Sequence, residues 1–277
     1  MSGKLYVVGT PIGNLSDLSP RGLETLNTVD FIAAEDTRVT LKLMNRFEIK
    51  KPTVSYHEHN MRDSGARVID RILAGENCAV VSDAGMPAIS DPGQDLVALA
   101  HQNGIEVVSV PGPSAVITAL AISGIECNRF CFEGFLSGVK SERRARLGEI
   151  KSEKRTMVFY EAPHKLVATL GDMLTAFGER KIAVIKELTK IHETVMHTTL
   201  SEAVEHFTAT APKGEFVLIV SGAAETEAAQ MTFDEALDYA RDAVADGTAP
   251  TAAAKQAAQI SGFQRSEIYK ALVGSKD

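Results

Sequence analysis

Cysteine is scarce in this 277-residue sequence: Cys78, Cys127 and Cys131 stand alone, with no Cys-x-x-Cys. Structural zinc sites usually take four thiolate or imidazole ligands at set spacings, so metal and redox roles find no support. The three thiols read as small apolar packing residues in a reducing, cytoplasmic compartment. Long apolar runs are also missing. None reaches the roughly 18 residues that a membrane span needs, and Met1–Gly9 lacks the basic start and cleavage site of a secretory signal. The glycine-rich Gly9–Asn14 is neither GxGxxG nor a P-loop, since no GK[ST] follows. That sets aside a Rossmann dinucleotide enzyme and a P-loop nucleotide hydrolase, which would also want paired metal carboxylates. Net positive charge is lacking too, at −7 overall, so no basic coat surrounds the chain.

Charge is nevertheless clustered. Arg38–Lys51 carries five basic residues against Glu48, and Lys140–Arg155 carries seven against three acids. Phosphate contact depends on such local surfaces and not on the total; a solvated helix face gives the same pattern.

Short β-rich runs alternate with helical patterns through most of the chain. Strands are predicted at Leu5–Val8, Phe31–Ala34, Ala79–Ser82, Val107–Val110, Phe130–Phe132, Met157–Tyr160, Ile182–Ile185 and Phe216–Val220. Ser19 and Pro20 supply an N-cap and first helical turn, and Val68, Ile69, Ile72 and Leu73 make one helical stripe. The alternation gives an α/β fold of two domains with mostly parallel sheets, helices covering both sheet faces. The Pro111–Pro113 break suggests domains at 1–113 and 114–222. Ala223–Ala229 reads as a linker. A C-terminal helical module then occupies 230–277, with helices expected at Phe233–Val244, Thr251–Gln259 and Arg265–Val273. The last two flank a Ser-Gly turn in a helix-turn-helix pattern.

Ligands in α/β sheets collect beyond the carboxyl ends of strands, and there the sequence is rich in Gly, Pro and small polar residues. Three loops qualify: Gly9–Asn14, Asp83–Gly93, and Pro111–Ala115, the last opening a helix at Ser114. Polar groups at other strand ends include Glu35 and Arg38, the pair His57 and His59, Glu161 with His164, and Glu187 with Lys190. A carboxylate or imidazole so placed can serve as a general base. Composition and spacing lead to a preorganised cleft and do not specify its reaction.

The ordered blocks TPIGNLSDLSPRGLETL, AAEDTR, SYHEHN, VSDAG, ISDPG, VPGPSA, FYEAPH, ELTK and KGE closely resemble the ribosomal RNA small subunit methyltransferase I family. That family lies within the tetrapyrrole methylase-like class. The resemblance runs from Leu5 to about Gly222 and extends to a C-terminal helical module. It implies S-adenosylmethionine as methyl donor, no metal, and the 2′-hydroxyl of a decoding-region cytidine in 16S rRNA, or in the 30S subunit, as acceptor. It also implies a cytoplasmic homodimer without membrane attachment. Carried onto this sequence, the donor pocket is expected at Pro11, Ile12, Asp83, Gly85, Pro87, Ile89, Ser114, Ala115, Tyr160 and Gly214. Glu35, His164 and Glu187 are the candidate catalytic bases, and Arg38, Arg143, Arg144 and Arg146 the candidate phosphate contacts. Met86, Ala88 and Gly9 replace the Thr, Leu and Ala common in the family, which removes a side-chain hydroxyl at position 86. Two rival readings are a small-molecule, tetrapyrrole-type methyltransferase and a helix-turn-helix regulator with a ligand-sensing α/β core.

Overall fold

Five short runs in the first half form one parallel sheet, in spatial order β3-β2-β4-β1-β5. They are β1 (Lys4–Val8), β2 (Phe31–Ala34), β3 (Thr53–Ser55), β4 (Cys78–Val81) and β5 (Glu106–Val110). The structure, a computed structural model, describes residues 2–57, 61–91, 93–224 and 231–274. The sheet is covered on both faces, as its unalternating apolar strands require. Helices α3 (Met61–Leu73) and α4 (Gln94–Gln102) press Val68, Ile69, Ile72, Leu96 and Ala100 onto one face. Helices α1 (Pro20–Thr28) and α2 (Thr37–Arg46) bring Leu26 and Met44 to the other. Ser19 caps α1 by accepting the Gly22 N–H at 3.0 Å, with Pro20 in the first turn. Each such apolar side chain, fully buried, stabilises the fold by about 1.5–3 kcal/mol.

The second sheet runs β6-β7-β10-β8-β9, from β6 (Phe130–Phe135), β7 (Thr156–Glu161), β8 (Lys181–Lys186), β9 (Thr194–Thr199) and β10 (Phe216–Val220). Only β6 and β7 pair in parallel here; the other three pairings are antiparallel. The α/β class with mostly parallel strands therefore holds for the two sheets together, while this sheet is mixed. Strands β3 and β9 are absent from the sequence prediction. The first has three residues behind Pro52, and the second is a polar, half-exposed edge, Thr-Val-Met-His-Thr-Thr. One face of this sheet packs α6 (Lys140–Glu149), α7 (Pro163–Phe177) and α8 (Leu200–Ala209). The other takes Val116, Ala119 and Leu120 of α5 (Ala115–Ile122) against Val158, Ala183 and Ile185. The chain thus changes sheets across Pro111–Pro113, and both sheets lie in one compact unit, Met1–Gly222.

A second unit, Ala223–Asp277, holds α9 (Phe233–Ala245), α10 (Pro250–Ser261) and α11 (Arg265–Gly274). All three expected helices are present. Gly262, with φ of +78°, ends α10 in the left-handed turn that separates it from α11. The proposed linker lies mostly outside the described residues, as does His59.

Candidate active site

The loops after β1, β4 and β5 meet because their strands are neighbours. Backbone hydrogen bonds join them: the Thr10 N–H donates to Gly85 O at 2.9 Å, Gly85 returns one at 3.1 Å, and the Gly9 N–H reaches Val110 O. Gly9 and Gly112 permit this approach, since a Cβ on Gly9 would lie 2.7 Å from the Gly112 Cα. Gly85 sits at φ +85°, and Ala88, two residues before Ser90, is held at φ +67°, a costly region for a residue with a side chain. Such strain persists only where surrounding structure enforces it.

These loops form one wall of a cleft of about 560 Å³, within the range of small-molecule sites. The end of the second sheet forms the facing wall, with Tyr160, Glu161, Phe216 and Phe135. Of the expected donor-pocket residues, Ile12, Asp83, Gly85, Ile89, Ser114, Ala115 and Tyr160 line the cleft. Pro11 and Pro87 are buried beside it, and Gly214 approaches only through its neighbour Glu215. Burial pushes the Tyr160 hydroxyl up to about 12, so it stays neutral and can donate.

Beyond Glu161 and Glu215, which pair with Lys165 and Lys190, three further carboxyl groups line the cleft: Glu35, Asp83 and Asp91. Among the described residues none of them makes an ion pair. Each is raised above the ordinary carboxylate range, first by burial and then by the charge of neighbouring acids. Backbone donors orient two of them. The Asp83 N–H reaches Glu35 Oε2 at 3.4 Å, and the Asp36 N–H reaches Asp83 Oδ1 at 3.1 Å. A cleft with this unspent negative potential favours a cationic ligand.

Several candidates have other tasks. Glu187 Oε1 accepts from Lys190 Nζ at 3.0 Å and from the Glu215 N–H at 2.9 Å, which hold its carboxyl below the usual range. It fastens the 187–190 turn to Gly214 and lies outside the cleft lining. His164 is exposed in the first turn of α7 and does not line the cleft either. Arg143, expected at phosphate, is buried: its guanidinium donates to Asp172 Oδ2 at 2.9 and 2.6 Å and to the carbonyls of Ser137 and Gly138. The outward Arg144 shares Asp172, and Arg146 bridges Glu133 and Glu149. Much of the basic run is thus neutralised locally. Arg38 stays highly exposed while gripping Asp36.

Asp91, Phe135 and the 216–217 segment line the cleft without any sequence signal that marks them individually for it, whereas Glu161 is among the strand-end groups. Asp91 belongs to the family-like ISDPG segment, whereas Phe135 lies beyond the predicted strand Phe130–Phe132, which in the structure runs on to Phe135.

The tetrapyrrole (corrin/porphyrin) methylase family profile matches residues 4–204. A ribosomal RNA small subunit methyltransferase I from Synechocystis sp. is 46% identical over 269 residues, 97% of this chain and 96% of that one. The chain belongs to the ribosomal RNA small subunit methyltransferase I family. A family member from Thermotoga maritima is 46% identical over 220 residues, which are 79% of this chain and 99% of the relative. The family's fold is seen in uroporphyrin-III C-methyltransferase from Thermus thermophilus, complexed with S-adenosyl homocysteine. That structure superposes with a TM-score of 0.56 at 16% identity, covering 79% of this chain and 97% of that one.

Proposed function

We propose that this chain is an S-adenosylmethionine-dependent methyltransferase that methylates the ribose 2′-hydroxyl of a cytidine in the decoding region of 16S rRNA. It acts in the cytoplasm as a homodimer, on the rRNA or the 30S subunit. Full-length membership of the rRNA methyltransferase family carries this reading, and the acidic cleft supports it. Residues 1–113 and 114–222 serve as two lobes around the donor.

The residues present fit such a donor. The Gly9–Gly112 approach opens backbone to the ligand, and Ser114 begins a helix without a side-chain cap, leaving backbone N–H groups for polar atoms. The unpaired carboxyls suit a sulfonium and an ammonium group. Ile12, Asp83, Gly85, Ile89, Ser114, Ala115 and Tyr160 hold the donor, with Pro11, Pro87 and Gly214 shaping the loops behind them. When bound, S-adenosylmethionine supplies an activated methyl carbon to an incoming ribose oxygen.

Positioning of that oxygen provides much of the rate. Glu35 takes the hydroxyl proton, because its raised affinity for protons brings it nearer to neutral pH than an ordinary carboxylate. Arg38, Arg144 and Arg146 offer exposed guanidinium edges to phosphates.

Labelled S-adenosylmethionine incubated with 30S subunits lacking the modification should place label on a cytidine 2′-oxygen in the decoding region. Label on any other position would overturn the assigned site, and no label despite donor binding would overturn the RNA acceptor and favour a small-molecule one.

A further inference from the structure

Strand β6 is broken in register. Phe132 pairs with Val158 and Gly134 with Phe159, so Glu133 is an extra residue in the strand. Such a bulge re-aims the side chains beyond it. In a regular strand, residues three apart face opposite sides. Here Phe132 and Phe135 both meet one ring, Tyr160, edge-on at centroid distances of 5.0 and 5.3 Å. The bulge is held at both ends. The Glu133 carboxylate accepts from the Arg146 guanidinium at 2.7 and 3.1 Å, and Gly134 adopts φ +66°.

The outcome is an unusual placement for phenylalanine. Phe135 lines the cleft yet is 60% exposed, whereas no other described Phe or Tyr exceeds 39%. Behind it stand Tyr160 and the Lys165 ammonium, 5.7 Å from the ring centroid. Lys165 is fixed in turn by Glu161 at 3.1 Å and by the Leu136 carbonyl at 3.1 Å. Ile89, another exposed apolar side chain at 68%, lines the cleft from the loop after β4. A rigid, supported aromatic surface left open at a cleft mouth is what an unstacked nucleobase recognises.

We infer that Phe135 is the stacking platform for the splayed-out base of the target nucleotide. The inference rests on the proposed RNA acceptor and adds the residue that holds the acceptor. The residues proposed to hold the donor lie on the glycine loops and at Tyr160, against which Phe135 packs. Stacking binds the base before chemistry, so its loss is read in substrate KM more than in donor affinity.

The test compares full-length wild type, Phe135→Ala and Phe135→Trp on unmodified 30S subunits. Melting temperature checks folding, and calorimetry with S-adenosylhomocysteine reads the donor pocket. Phe135→Ala should lower kcat/KM for 30S by roughly 5- to 150-fold, the range of a lost base–aromatic stack, mostly through KM. Affinity for S-adenosylhomocysteine should stay within about twofold by the same assignment, and Phe135→Trp should restore the substrate KM. An equal loss of donor affinity, a Trp variant as poor as Ala, or an Ala variant with unchanged KM would each overturn the platform. A wild-type protein inactive on 30S would instead overturn the acceptor assignment, and the platform with it.

Discussion

Glu35 and Glu187 each follow the last residue of a strand, one in either sheet, yet the two carboxyls have opposite surroundings. Glu35 lies beside Asp83 and Asp91 on one wall of the cleft and receives one long backbone N–H. Glu187 is gripped by Lys190 and the Glu215 N–H, on a backbone bent to φ +53°. One carboxyl is left wanting a proton and the other has none to seek. Residue type and place in the topology are therefore insufficient to identify a base; the partners decide, and their backbone donors come from 48 and 28 residues away.

The sharpest way to break this comparison is kinetic. Glu35→Gln should slow single-turnover methyl transfer by about 10²–10⁴-fold at saturating donor, while Glu187→Gln should stay within about tenfold of wild type by the same reasoning. Equal losses would end the distinction. Buried compensation can be tested where it is strongest, at Arg143. Asp172→Ala leaves that guanidinium buried without a counter-charge and should cost about 3–5 kcal/mol in urea unfolding. Gly214→Ala should cost about 1–3 kcal/mol. Its Cβ would fall 2.5 Å from the Glu187 carboxylate, on a backbone at φ +86°.

The smallest effects concern pH. Glu35 binds its proton more tightly folded than unfolded, so ionising it at neutral pH destabilises the fold. Glu35→Gln should therefore raise Tm at neutral pH, and the gain should fade as pH falls from the raised folded value toward the unfolded value of about 4.3, below which it is gone. Glu187 is the reverse. Its stabilisation is present above the unfolded value and lost as pH falls through its depressed folded value, so Glu187→Gln should lower Tm only at the higher pH. Matching Tm profiles for the two variants would show that their environments do not differ as described.

Much of the fold was legible because local physics agreed with it. Phe31–Ala34 and Phe216–Val220 are apolar throughout and became strands with the expected limits. Ser19 and Pro20 announced α1. Strand β9 was hidden because an edge strand need not be apolar, and its six residues are largely polar. The cleft loops could be read from glycine, proline and strand ends. The use of individual charges could not: Arg143 looks in sequence like its neighbours Arg144 and Arg146, and only α7 supplies the aspartate that buries it. Phe135 was overlooked for a related reason. A bulge has no periodicity, and Gly134 was its one local sign.

The C-terminal unit carries a consequence for how mutation can reach it. Five of the six buried residues at its centre are alanines: Ala236, Ala240, Ala253, Ala254 and Ala257, joined by Ile268. Helices packed on methyl groups lie close together, and alanine surrenders no rotamer freedom on burial. At the five alanines there is almost nothing to shorten, so cavity-forming damage is left to Ile268 and the larger side chains around it. Enlargement is the danger, since an added methylene has no room and forces the backbones apart. Sequence drift at these five positions should consequently be one-sided, barred from anything larger than a methyl.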